Sequence, residues 1–145
     1  GWFSLGGLCS NPDLSRALVL QVDGQTVNLP RGTQGVLILN IPSYMGGHNL
    51  WGTRADPKFQ KQSTQDGLLE VCTVGSIAHL GMIRMKLRKA KRVAQGSQVS
   101  LEMKQPLHMQ LDGEPWLQEE IKTITIQHHR KAEMVTPEPL TGCCG

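Results

Sequence analysis

The run Gly35-Val36-Leu37-Ile38-Leu39-Asn40-Ile41 is apolar on both faces until Asn40, and Pro42 stops it. A short unbroken apolar run between turn residues is the pattern of a central strand buried on both sides. Most of the remaining segments are of strand length too. Ala17 to Val22 is strand-like, and Asp23-Gly24 between alternating residues is a hairpin turn returning along Thr26 to Leu29. Leu68 to Val74 is a further strand closed by Gly75, and Gln98 to Lys104 alternates through Val99, Leu101 and Met103. Leu107 to Leu111 alternates again, and Ile121 to Ile126 is the last clear strand.

One segment departs from this pattern. From Ile77 to Ala94, Leu80, Ile83, Leu87, Ala90 and Ala94 recur at helical spacing, and Gly96 follows as a stop. The expected fold is therefore mainly β, a two-sheet β-sandwich-like domain with one substantial helix over about 77–94. Repeated helical crossovers, which a doubly wound nucleotide fold requires, are not in the pattern. Between the apolar positions of the expected helix lie Arg84, Lys86, Arg88, Lys89, Lys91 and Arg92. Such a run is either a solvated helix face or, with Lys89, Lys91 and Arg92 in front, a patch facing anionic membrane lipid.

Composition bears on the class of protein. At 145 residues, 39% hydrophobic and 19% charged, the chain can bury a real core and has no signature of disorder. Its net charge of +3 permits anionic partners without requiring them. No apolar run is long enough to suggest a membrane span. Cys9, Cys72, Cys143 and Cys144 form no Cys-x-x-Cys pair, and the five histidines show no zinc spacing, so free thiols are expected. Gly1-Trp2-Phe3-Ser4-Leu5 reads as mid-domain sequence, and the chain is expected to be cut at this end.

The candidate chemistry lies in loops. In Leu111-Asp112-Gly113-Glu114-Pro115-Trp116, an extended backbone would put Asp112 and Glu114 on one face, with Gly113 allowing close approach and Pro115 ending the strand. Paired carboxylates of this kind take a proton from a hydroxyl or hold Mg²⁺ beside a phosphate. The alternative is a surface turn, since Asp-Gly is a hairpin signal in its own right. Asn40 caps the following loop or orients it over a ligand. Gly46-Gly47 can offer backbone N–H groups to a phosphate, although the spacing is not that of a P-loop. Thr53 to Gln65 is polar and exposed, and Asp66-Gly67 closes it as a turn.

Several motifs together carry a family likeness. Leu39 to Tyr44, Gly46 to Gly52, Asp66 to Val71, His79 to Ile83, Ala90 to Gly96 and Leu111 to Trp116 resemble, in order, the accessory domain of eukaryotic diacylglycerol kinases. The likeness spans roughly Val19 to Met134. It implies an enzyme that moves the γ-phosphoryl of ATP to diacylglycerol, giving phosphatidic acid, with Mg²⁺. It implies Glu114 as base with Asp112 as alternative or partner, Asp66 at the Mg²⁺, and cytoplasmic, peripheral attachment to membrane lipid. The family's Gly-Gly-Asp-Gly nucleotide motif is missing from this sequence. On this likeness residues 1–136 are the C-terminal part of an accessory domain and 137–145 a tail. The fragment is expected to be inactive alone, with an upstream catalytic domain as partner and no nucleic acid. Lys131-Ala132-Glu133-Met134 departs from the family's Gln-Ala-Pro-Met. The competing expectation is a stand-alone module that docks on anionic membranes through the Arg84–Arg92 face.

Overall fold

The computed structural model describes residues 12–44, 47–76, 79, 82, 83, 85, 90–131 and 133, together with the backbone of 2–5. Among the described residues the named elements follow in the order β1 (Trp2–Leu5), α1 (Leu14–Ala17), β2 (Leu18–Val22), β3 (Gln25–Val27), β4 (Gly35–Leu39), β5 (Leu69–Val74), β6 (Lys91–Gly96), β7 (Gln98–Met103), β8 (Leu107–Leu111), β9 (Glu114–Gln118) and β10 (Thr123–Gln127). They form a six-stranded sheet, β6-β5-β4-β1-β8-β9, and a four-stranded sheet, β10-β7-β2-β3. Every pairing is antiparallel.

The two sheets share one core. Leu18, Leu20 and Val22 of β2 and Val99, Leu101 and Met103 of β7 meet Val36 and Ile38 of β4, Leu69 and Val71 of β5, and Leu107 and Met109 of β8. The other face of the larger sheet is covered as well. There Leu37, Leu39, Cys72 and Val74 pack with Tyr44, Leu50, Trp51 and Ile83. Both β4 and β5 are therefore buried at every position, which is why their sequences carry almost no polar residues. The long excursion between β4 and β5 supplies that second cover, and Trp51 meets Phe59 edge-on at 5.1 Å.

The substantial helix over 77–94 is not found. His79, Met82 and Ile83 are helical, but Ala90 is not, and Lys91–Gly96 is strand β6 beside β5. Met85 is exposed in a turn, and residues 77, 78, 80, 81, 84 and 86–89, Lys89 among them, lie outside the described residues. Tertiary pairing overrides the local period here: Val71 opposes Ala94 while the next residue, Cys72, opposes Arg92, so Val93 is an inserted bulge residue.

Strand β9 is also unanticipated. Pro115 does not end a strand but lies within one. Leu111 pairs with Glu114 next to the two-residue turn and exchanges both hydrogen bonds there, so Gln110 and Pro115 form the following non-bonded pair. The proline nitrogen then points to the open sheet edge, where no donor is needed.

Candidate functional site

Asp112 and Gly113 are the two turn residues between β8 and β9. Both have positive φ, 48° and 99°, the signature of a type I′ turn. Asp23 and Gly24, at 48° and 78°, repeat it between β2 and β3. The extended geometry that would put Asp112 and Glu114 on one strand face is therefore absent. Asp112 caps the hairpin, and Glu114 begins β9 beside Leu111, exposed. Tight turns demand positive φ, and the two-residue spacing is consumed by reversing the chain.

Sheet register shows what lies near this turn. Glu114 is aligned with Leu111, Phe3, Ile38, Val71 and Ala94 across the six strands. One residue further out, Trp2, Leu39, Glu70 and Gln95 are aligned. The Asp112-Gly113 turn, the first described residue Trp2, Asn40 just past β4, and the Asp66–Leu68 approach to β5 thus share one end of the large sheet. They are not in one cluster. β8 and β4 are two strand spacings apart, about 10 Å, and β9 and β5 four spacings, about 19 Å. Asn40 is exposed; Gly47 has φ 94°, and Gly46 lies outside the described residues. Asp66 is exposed, and its Oδ1 accepts a hydrogen bond from the Leu68 backbone N–H at 2.9 Å. Among the described residues, no group of three or more His, Cys, Asp or Glu side chains is placed to hold a metal ion.

The basic segment is reorganised. Lys91 is exposed on β6, but Arg92 faces inward. Its Nε donates to the Trp51 carbonyl at 2.6 Å and its Nη1 to the Arg54 carbonyl at 2.9 Å, and the guanidinium lies 4.9 Å from the Trp51 ring centroid. Arg92 fastens the covering loop, its guanidinium engaged by two loop carbonyls. The reason is the Val93 bulge, which aims Arg92 and Gln95 at the same face of the sheet.

The residue that sequence reasoning missed is Glu70. It is wholly buried, the one carboxylate so placed among the described residues. Gln62 Nε2 donates to its Oε2 at 2.8 Å and Gln95 Nε2 to its Oε1 at 3.1 Å. Burial pushes its proton affinity up, the two amide donors pull it back, and the Asp66 charge adds to the upward push. The available signal was an acid inside an otherwise apolar strand, Leu69-Glu70-Val71-Cys72-Thr73-Val74.

Comparison with known proteins follows the same lines. The fold class, two antiparallel sheets on one core, is shared with half of a Bacillus anthracis protein assigned as a diacylglycerol kinase: TM-score 0.51 at 14% identity, over 88% of this chain and 50% of that one. At sequence level the profile of the Diacylglycerol kinase accessory domain matches residues 3–115. The chain belongs to that family. It is 40% identical over 126 residues to Diacylglycerol kinase 1 of Arabidopsis thaliana, covering 83% of this chain and 17% of the relative. With human Diacylglycerol kinase theta the identity is 41% over 105 residues, covering 72% of this chain and 11% of the relative. The chain thus spans a small fraction of the length of these relatives. Among the described residues no helix is long and apolar enough to cross a membrane.

Proposed function

We propose that this chain is the accessory-domain part of an ATP-dependent diacylglycerol kinase, contributing the lipid-side half of a site completed by an upstream nucleotide-holding domain. The two sheets are read as a sandwich-like scaffold over 1–136, with 137–145 as a tail. One observation carries the reading. The acidic turn at Asp112-Gly113-Glu114, the polypeptide entering at Trp2, Asn40 and Asp66 all lie at one end of the large sheet. In this reading the nucleotide-holding domain meets the large sheet at that end, opposite the carboxylates.

In this reading Glu114 is the base. The lipid hydroxyl oxygen bonds to the γ-phosphorus of ATP, the bond to ADP breaks, and the hydroxyl proton passes to the Glu114 carboxylate. The type I′ turn holds Glu114 at a fixed, solvent-reached position, and Asp112 beside it is the alternative acceptor. Asn40 and the backbone N–H groups of Gly46 and Gly47 are the candidates for meeting phosphate. The exposed carboxylate of Asp66 would supply one oxygen ligand to Mg²⁺, an ion that protein carboxylates bind singly or in pairs beside phosphates. When bound, the ion neutralises charge on the phosphates. Peripheral attachment to anionic membrane, in the cytoplasm, belongs to the same reading; Lys91 remains available for it.

Glu114→Gln in the full kinase polypeptide is expected to lower turnover by about a hundredfold or more, the scale of general-base loss, with the fold unchanged. Turnover within a factor of two of wild type removes Glu114 from the mechanism.

A further inference from the structure

We propose that Glu70 is a positioning residue: its buried carboxylate locks the 58–68 approach to β5, and with it Asp66, against the end of the large sheet. The inference rests on the reading of that end as the reacting side of the domain.

The hydrogen bonds run as a chain from Glu70 into the loop. Gln62 Nε2 reaches Glu70 Oε2 at 2.8 Å, and Gln95 Nε2 reaches Oε1 at 3.1 Å. The Oε1 of Gln95 in turn accepts from the Gln60 backbone N–H at 2.9 Å, and the Gln60 carbonyl accepts from the Trp51 indole N–H at 3.4 Å. Glu70 thus joins β5, β6 and two separate points of the covering loop. Its strand partner across the ladder is Leu39, so the excursion leaves the sheet beside Asn40 and returns beside Asp66, at this same pair. Asn40 and Asp66 flank that loop, and its later half is held through Glu70 at Gln60 and Gln62.

A purely structural role does not account for the choice of residue. The remaining side chains on that face of β4 and β5 are Leu37, Leu39, Cys72 and Val74. An apolar side chain at position 70, with apolar partners in place of Gln62 and Gln95, would complete this layer without burying a charge, and such whole-network replacement is commonly neutral or stabilising. Burying a carboxylate costs stability, and such costs are retained where a particular arrangement must be specified. The carboxylate is what directs two amides; a leucine directs none. Among the described residues, Asp66 from the approach to β5 and Cys72 from its own strand are charged or titratable groups coupled to it, and Arg92 on β6, which acts on Cys72, has its guanidinium committed to loop carbonyls. Among the described residues Gln62 Oε1 is buried with no hydrogen-bond partner, and Gln62 is held there through its amide nitrogen on Glu70.

The test compares Glu70→Leu with Glu70→Gln in the 145-residue chain by amide hydrogen exchange, then in the full kinase by steady-state kinetics. Glu70→Leu leaves the Gln62 and Gln95 amides without their acceptor and is expected to speed exchange at the Gln60 amide and the Trp51 indole at least tenfold, while the amides of β7 stay protected. Glu70→Gln keeps an acceptor for Gln95 and, after a flip of the Gln62 amide, a partner there too, so it restores protection. In the kinase, Glu70→Leu should lower kcat/KM about tenfold or more and Glu70→Gln less than threefold. Unchanged exchange at Gln60 in Glu70→Leu overturns the inference, as does a Glu70→Gln variant as loose as Glu70→Leu. Altered exchange with unaltered kinetics also overturns it, because the residue then holds the loop without serving the reaction. The exchange arm needs no catalysis, so an inactive parent polypeptide would count against the kinase reading alone.

Discussion

Single residues set the tolerance of this fold most sharply where the two sheets converge. Asp23, held at φ 48° in its turn, accepts hydrogen bonds from the Ser97 N–H at 3.0 Å, the Ser97 hydroxyl at 2.9 Å and the Gln98 N–H at 2.9 Å. That cradle ties the β2–β3 turn to the β6–β7 connection and leaves no room for a side chain at Gly96, whose added Cβ would collide with Val22 and Asp23. Gly96→Ala is expected to destabilise the protein by about 1–3 kcal/mol, the range for overpacking, measured as a lowered urea midpoint. Glu70 gives a pH-dependent expectation. Its proton affinity is raised in the folded state, so the folded protein binds the extra proton between the ordinary glutamate range and the raised value. Stability contributed by the neutral carboxyl is thus present at low pH and is lost as pH rises through that window. Glu70→Gln removes the loss: it should unfold at higher temperature than wild type at pH 7, with the gap closing below the ordinary glutamate range. A gap that widens on acidification would mean that Glu70 is stabilised as the anion. Cys72 belongs to the same layer; burial pushes its thiol up to about 12, which makes it inert in the folded protein.

At the scale of elements, the β8–β9 hairpin separates what a turn needs from what chemistry needs. Asn tolerates positive φ as Asp does, so Asp112→Asn should leave the hairpin intact, with thermal stability within about 0.5 kcal/mol of wild type. Any fall in turnover in the full kinase then belongs to the lost charge. A matching fall in Tm would assign Asp112 to the turn instead. Element by element, legibility followed how local the cause is. β2, β3, β4, β5, β7, β8 and β10 were readable because apolar alternation and Gly or Pro punctuation are written in neighbouring residues. β6 was not, because Ala90 and Ala94 continue the helical period of Leu80, Ile83 and Leu87, and only pairing with β5 and the Val93 bulge decides against it. β9 was hidden by Pro115, which forbids a central strand but not an edge one. The acidic turn itself was legible as a candidate in both its forms. Glu70 was overlooked since a lone acid in a strand says nothing of its partners, Gln62 and Gln95, which come from other parts of the chain.

For the molecule as a whole, the large sheet divides two unequal cores. The inner one joins ten or more side chains from both sheets, whereas the outer one depends on a long loop and a few anchors. Cooperative units of unequal burial open at unequal free energies. The outer layer should therefore open before the sheets separate, and Arg92 is the anchor that limits it. Removing its side chain deletes two charge-assisted hydrogen bonds and the contact with Trp51, a loss of about 2–4 kcal/mol from the local opening free energy. Arg92→Ala is expected to raise exchange at loop amides 50–56 by more than tenfold while Val36 and Ile38, paired on both sides within β4, exchange only with global unfolding. Arg92→Lys should not restore protection, since an ammonium cannot span the Trp51 and Arg54 carbonyls in the planar manner of a guanidinium. If β4 and the loop instead lose protection together in Arg92→Ala, the two layers form one cooperative unit. The end of the sheet that bears Asn40, Asp66 and Glu70 would then be as rigid as the core beneath it.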